Sequence, residues 1–118
     1  MIHLQLDQRG PMVRVLLSVV LFTILAAAVS AQGLAAKGMA VYTAQKCSMC
    51  HAIAGTGNKK GTLDGIGAKL SVADIRQWIT NAPDMTAKTQ ATRKPVMKAY
   101  ALPKDELDSL LAYLQTLK

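Results

Sequence analysis

The sequence is short of the residues that build metal sites and large cores. Its 118 residues include two Cys and two His, with one Trp, one Phe and three Tyr. A structural zinc site takes about four ligands. Beyond His3 the chain offers Cys47, Cys50 and His51 as its only Cys or His, too few for zinc. A disulfide between Cys47 and Cys50 would close a tiny loop and stabilise little. Acids are scarce too, 7 Asp and Glu against 14 Lys and Arg, for a formal net charge of +7. No internal repeat, no β-rich run and no nucleic-acid recognition motif is present, so the basic balance does not point to nucleic acid. A chain this small with so few aromatics needs a staple or an inserted apolar group to complete a core.

What is there begins with a targeting pattern over residues 1–31. Arg9 and Arg14 form a positive end, and Val15 to Val29 is apolar apart from Ser18 and Thr23. Val29-Ser30-Ala31 then places small residues at the spacing a signal peptidase reads. The apolar core is shorter than the roughly 20 residues that span a bilayer. The expectation is a signal peptide cleaved after Ala31, with an uncleaved anchor on the periplasmic side of the inner membrane as the alternative. Arg9 and Arg14 are not adjacent, which excludes a twin-arginine signal and leaves general export. One domain, residues 32–118, remains. It keeps twelve Lys and Arg against six Asp and Glu, a balance suited to acidic protein partners or an anionic surface.

The most informative stretch is Cys47-Ser48-Met49-Cys50-His51. It reads C-x-x-C-H, the attachment signature of c-type haem. Two thiols three positions apart can each add to a vinyl group of one porphyrin, and the following imidazole can ligate iron from beneath. A thioredoxin-like dithiol uses a related pair, but after a strand in a βαβ unit. No such strand precedes Cys47.

Around this motif the periodicity is helical. Leu34 to Lys46 reads as a first helix, with Leu34, Gly38, Val41 and Tyr42 on one face. Gly38 in mid-helix costs about 1 kcal/mol relative to Ala and marks a close approach by another helix. Ala52 to Thr62 reads as a Gly-rich loop, and Leu63 to Gly67 as a turn whose Leu63 and Ile66 can face a porphyrin. Ser71 and Asp74 make a capping box for a second helix, with Val72, Ile75, Trp78 and Ile79 on one face. A haem propionate is a candidate partner for the Trp78 indole N–H. Asn81-Ala82-Pro83 reads as the end of that helix, followed by a basic irregular stretch through Lys88, Arg93, Lys94 and Lys98. Such a run is either a solvated face or a docking patch around an exposed cofactor edge. Pro103 opens a last helix in which Leu107, Leu110, Leu111, Leu114 and Leu117 recur at helical spacing. Asp105, Glu106 and Lys118 complement its dipole.

Bis-histidine ligation within the chain is unavailable, because His3 is lost with the leader, and methionine is the natural second axial ligand. Met39 sits on the first helix and Met49 is confined between the cysteines. Met85 and Met97 both follow a proline in irregular chain, and either can reach around a ring.

The C-terminal half, Lys94-Pro95-Val96-Met97-Lys98-Ala99-Tyr100 with Leu102, Glu106-Leu107 and Ala112-Tyr113-Leu114, resembles that of class I cytochromes c. Lys37-Gly38, Val41-Tyr42, Cys47 to His51 and Leu63-Asp64-Gly65-Ile66-Gly67 resemble the N-terminal half. The resemblance implies an all-α cytochrome c fold, three main helices and loops wrapped around one covalently attached haem c. It implies thioether bonds at Cys47 and Cys50 and axial ligands His51 and Met97, the latter chosen over Met85 by its Pro and Tyr context. It also implies that the first and last helices pack together, Gly38 and Tyr42 against Leu110, Tyr113 and Leu114. The family commonly has Gly-Pro where Lys60-Gly61 stand here, its proline carbonyl accepting the proximal imidazole N–H. Gly61 keeps a carbonyl but loses proline's rigidity, so the expectation is weaker support for His51.

The function this implies is a monomeric periplasmic electron carrier, not an enzyme, with Lys59, Lys60, Lys88, Arg93, Lys94 and Lys98 steering acidic redox partners to the haem edge. Any tie to the membrane would run through those partners or an uncleaved leader. One alternative is a haem subunit of a larger periplasmic oxidoreductase, which would carry an extended apolar interface. A haem enzyme or gas sensor is another, and it would need an open iron position in place of Met97.

Overall fold

Two helices crossing at a glycine set the frame of the domain. α1 spans Pro11–Ala44 and α5 spans Lys104–Gln115. The computed structural model describes residues 10–118, with the side chains at 13 and 21–29 left out. Between these helices come α2 (Ile66–Lys69), α3 (Val72–Thr80) and α4 (Ala82–Thr89). Short 3-10 turns at Cys47–Met49 and Lys59–Gly61 flank a two-stranded antiparallel hairpin, β1 (Ala52–Ile53) and β2 (Thr56–Gly57).

The chain divides into two units, Met1–Ala31 and Gln32–Lys118. In the first, helix begins at Pro11 and Val15, Leu16, Leu17, Val19 and Val20 are exposed. Arg9 and the side chains at 21–29, on which the leader expectation partly rests, lie outside the described residues. Among the described residues no helix is long and apolar enough to cross a membrane.

In the second unit the core is Val41 and Tyr42 from α1, Ile75 and Ile79 from α3, and Leu107, Leu110, Leu111 and Leu114 from α5. The helical spacing read from the sequence puts these residues on inward faces. At Gly38 the two main helices come into close contact. A Cβ there would collide with the Ser109 carbonyl of α5 and stand 2.7 Å from the Tyr113 Cβ. Ser109 is fully buried, and its hydroxyl donates to the Glu106 carbonyl of its own helix, so this small polar residue is satisfied. One turn along α1, the Tyr42 and Tyr113 rings pack edge to face with centroids 6.0 Å apart. The expected first–last helix contact is present, with the Ser109 backbone taking the central place.

Other features follow local chemistry. Ser71 caps α3 by accepting from the Asp74 N–H at 3.1 Å, and its hydroxyl donates to the Asp74 carboxylate at 2.7 Å. The C-terminus is tied to α2, because Gly67 N–H donates to the Leu117 carbonyl at 2.8 Å and Lys118 Nζ to the Gly67 carbonyl at 2.8 Å. The Lys118 ammonium is thus bonded to the α2 backbone rather than to a carbonyl at the end of α5.

Three expectations change. The helix expected over Leu34–Lys46 is part of the longer α1, and it stops at Ala44 because Lys46 takes a left-handed conformation, φ 55°. Pro83 does not precede irregular chain; it sits in the first turn of α4, where a missing N–H leaves no helical bond unmade. Met85 therefore belongs to α4 and is buried against the core, and it is not a lining residue of the cavity described below. The loop after His51 also contains the small β1–β2 hairpin.

Replacing Gly38 with Ala should destabilise the holoprotein by about 1–3 kcal/mol, the typical cost of overpacking, despite Ala's better helix propensity. Denaturant melts check this; an unchanged or raised midpoint would mean the helices do not depend on that contact.

Candidate functional site

Cys47 to His51 leave α1 through the left-handed turn at Lys46 and coil into one 3-10 turn. The Cys50 and His51 N–H groups both donate to the Cys47 carbonyl, at 3.1 and 2.9 Å. The turn puts the two cysteines and the histidine on one wall of a cavity of about 640 Å³. That volume lies within the roughly 300–1,000 Å³ typical of small-molecule and cofactor sites. The rest of the lining is mostly apolar and includes Leu63, Ile66, Leu70, Ile75, Trp78 and Leu114. Pro95, Val96, Met97 and Tyr100 complete it from the segment between α4 and α5.

His51 is held from behind. Its Nδ1 lies 2.9 Å from the Gly61 carbonyl, which fixes the tautomer with the proton on Nδ1 and the free lone pair on Nε2. The contact expected to be weakened by the loss of proline is made. Burial pushes the imidazole pKa down, the Gly61 bond works the other way, and the Arg93 charge pushes it down again. The net direction favours the neutral imidazole, the form that binds metal.

Several residues that hold this loop carry no signal in the sequence. Asn58 is the main one. Its backbone N–H is shared between the Ser48 and His51 carbonyls, at 3.1 and 3.0 Å. Its side chain donates to the Met49 carbonyl at 3.2 Å and accepts from the Lys60 N–H at 3.1 Å. Gly57, at φ 106°, sits so close to the His51 carbonyl that any Cβ would collide with it. The Tyr42 hydroxyl reaches the same carbonyl at 3.4 Å. An Asn in a Gly-rich loop reads as turn chemistry, and only the fold shows what it grips.

Cys47 is half-buried and Cys50 exposed, and no disulfide joins them. Before attachment, burial raises the pKa of the Cys47 thiol. Of the candidate second ligands, Met97 is half-buried and lines the cavity. Trp78 lines it as well, while Lys59, Lys60, Lys88, Arg93, Lys94 and Lys98 are all exposed. Lys98 lies over the Tyr100 ring at 4.9 Å.

A helical domain whose C-x-x-C-H turn lines an apolar, cofactor-sized cavity is that of a class I c-type cytochrome. The Cytochrome c family model matches residues 35–118, and the chain belongs to that family. Comparison with curated proteins and with solved structures gives no significant match. The family carries covalently attached haem c, and the chain is a haem-binding electron-transfer protein. The residues present fit that group: two thiols, a neutral imidazole with its Nε2 free, and an apolar chamber beside them.

Proposed function

We propose that the chain is an exported monohaem electron carrier of the periplasm, with haem c bonded to Cys47 and Cys50 and ligated by His51 and Met97. The observation that carries this reading is the convergence of all four side chains on one apolar cavity. When bound, the haem supplies a one-electron Fe(II)/Fe(III) couple. The two cysteines would anchor the group through thioether bonds from the cavity wall. Gly61 orients the His51 imidazole and raises its basicity through the Nδ1 bond. Met97 contributes a thioether, a ligand that raises the potential relative to a second nitrogen. Leu63, Ile66, Leu70 and Leu114 exclude water from the chamber.

The leader reading rests on the sequence pattern over residues 1–31. Lys59, Lys60, Lys88, Lys94 and Lys98 give the partner-facing surface its charge, and an acidic redox protein is the partner they would steer. Arg93 shares that charge but is also bonded inward to the attachment loop.

Two outcomes are expected. Met97→Ala should change the absorption spectrum of the holoprotein in both oxidation states and lower its potential; an unchanged spectrum would remove Met97 from the iron. Electron transfer with the physiological partner should slow as ionic strength rises. A rate flat across salt would reduce the lysines to a solvated face.

A further inference from the structure

The segment that carries Met97 is held to the rest of the molecule at few points. Its first anchor is the Ala91 N–H bonded to the Thr86 carbonyl at 3.0 Å, and its last is the Tyr100 N–H bonded to the Ile79 carbonyl at 2.8 Å. Between them, among the described residues, the hydrogen bond to another part of the chain is the one from Arg93 Nη2 to the Cys50 carbonyl. The guanidinium lies directly against Gly61. A Cβ at that position would collide with Arg93 Nη1 and with the Cys50 carbonyl, so only glycine leaves the space that Arg93 fills. Lys60-Gly61 in place of the family's Gly-Pro is then half of a pair, and Arg93 is the other half. Arg93 also lines the cavity shared by His51 and Met97.

We propose that Arg93 is a positioning residue for Met97, a clasp that holds the Met97 segment closed on the Cys50–Gly61 edge of the cavity. The inference rests on the reading of Met97 as an iron ligand. An irregular stretch fixed only at its ends has many open conformations, and one charge-assisted bond two residues past its first anchor shortens the free chain that carries Met97 and ties its start to the Cys50 edge. Closing the segment keeps the Met97 sulfur at the iron, and opening it vacates that position. Arg93 reaches no reacting atom; it acts through Met97. Because Arg93 is exposed, replacing it leaves the core untouched.

The test is the affinity of the ferric holoprotein for imidazole, a small ligand that must displace the Met97 sulfur to bind. Arg93→Gln should raise that affinity about tenfold or more, as the loss of one hydrogen bond to a charged group supports. Met97→Ala should raise it further, and adding Arg93→Gln to Met97→Ala should then change nothing, since no sulfur remains to be held. An Arg93→Gln affinity equal to that of the unaltered protein overturns the clasp while leaving Met97 as ligand. An equal rise with and without Met97 also overturns it, because Arg93 would then be a screen over the iron. If Met97→Ala binds imidazole no more tightly than the unaltered protein, the ligand reading fails and takes the clasp with it.

Discussion

The hydrogen bond between His51 Nδ1 and the Gly61 carbonyl, 2.9 Å long, determines what the attachment loop can do. A histidine following two cysteines has a free χ1 and two equivalent-looking nitrogens. The Gly61 carbonyl removes both freedoms by fixing the ring and the tautomer together. Much of the surrounding loop serves that carbonyl's position. The Lys59–Gly61 turn is capped by Asn58, whose backbone and side chain also grip Ser48, Met49 and His51. The β1–β2 hairpin brings Gly57 under the His51 carbonyl, where no larger residue fits. Proline would have stiffened position 61, but here the space over Gly61 is filled by the Arg93 guanidinium. Rigidity that a ring could supply locally comes instead from a residue more than thirty positions away.

The helices hold this loop at a fixed distance from the rest of the cavity wall. α1 ends at Ala44, two residues short of the turn that opens at Cys47, and its Gly38 and Tyr42 are locked to Ser109 and Tyr113 of α5. Lys37 adds an ion pair to Asp105 at 2.6 Å, exposed and therefore worth little by itself. On the far side of α5, the Gly67 backbone is bonded to Leu117, which sets Ile66 and Leu63 against the chamber. α3 contributes Ile75 and Trp78 to the same lining. One apolar chamber thus has walls from separate elements, each pinned by backbone contact at a glycine or a cap. A domain with so few aromatics leaves that space for a group other than its own side chains.

Much of this was legible in residue order. Cys47, Cys50 and His51 carry their chemistry in their spacing, and the leucines of α5 show their face by period alone. Ser71 with Asp74 announces the start of α3, and Gly38 announces a close approach. The parts that were not legible share a physical cause. Pro83 has two opposite local meanings, helix stop for the residue before it and helix start for itself, and only the second operates at α4. As a helix stop, Pro83 would leave Met85 in open chain, whereas α4 buries it. A hairpin with two-residue strands shows no alternation to read. The Asn58 and Arg93 bonds go to backbone carbonyls, and a carbonyl has no letter in the sequence.

We propose that Cys47 and Cys50 hold one haem covalently in a chain that is exported and cleaved after Ala31. Intact mass and a pyridine haemochrome spectrum, taken on one preparation of the exported protein, test it most directly. The predicted result is the mass of residues 32–118 plus one haem, with the spectrum of a haem whose vinyl groups are saturated by thioether bonds. A mass without haem, or a haem that acid and organic solvent extract, would contradict it.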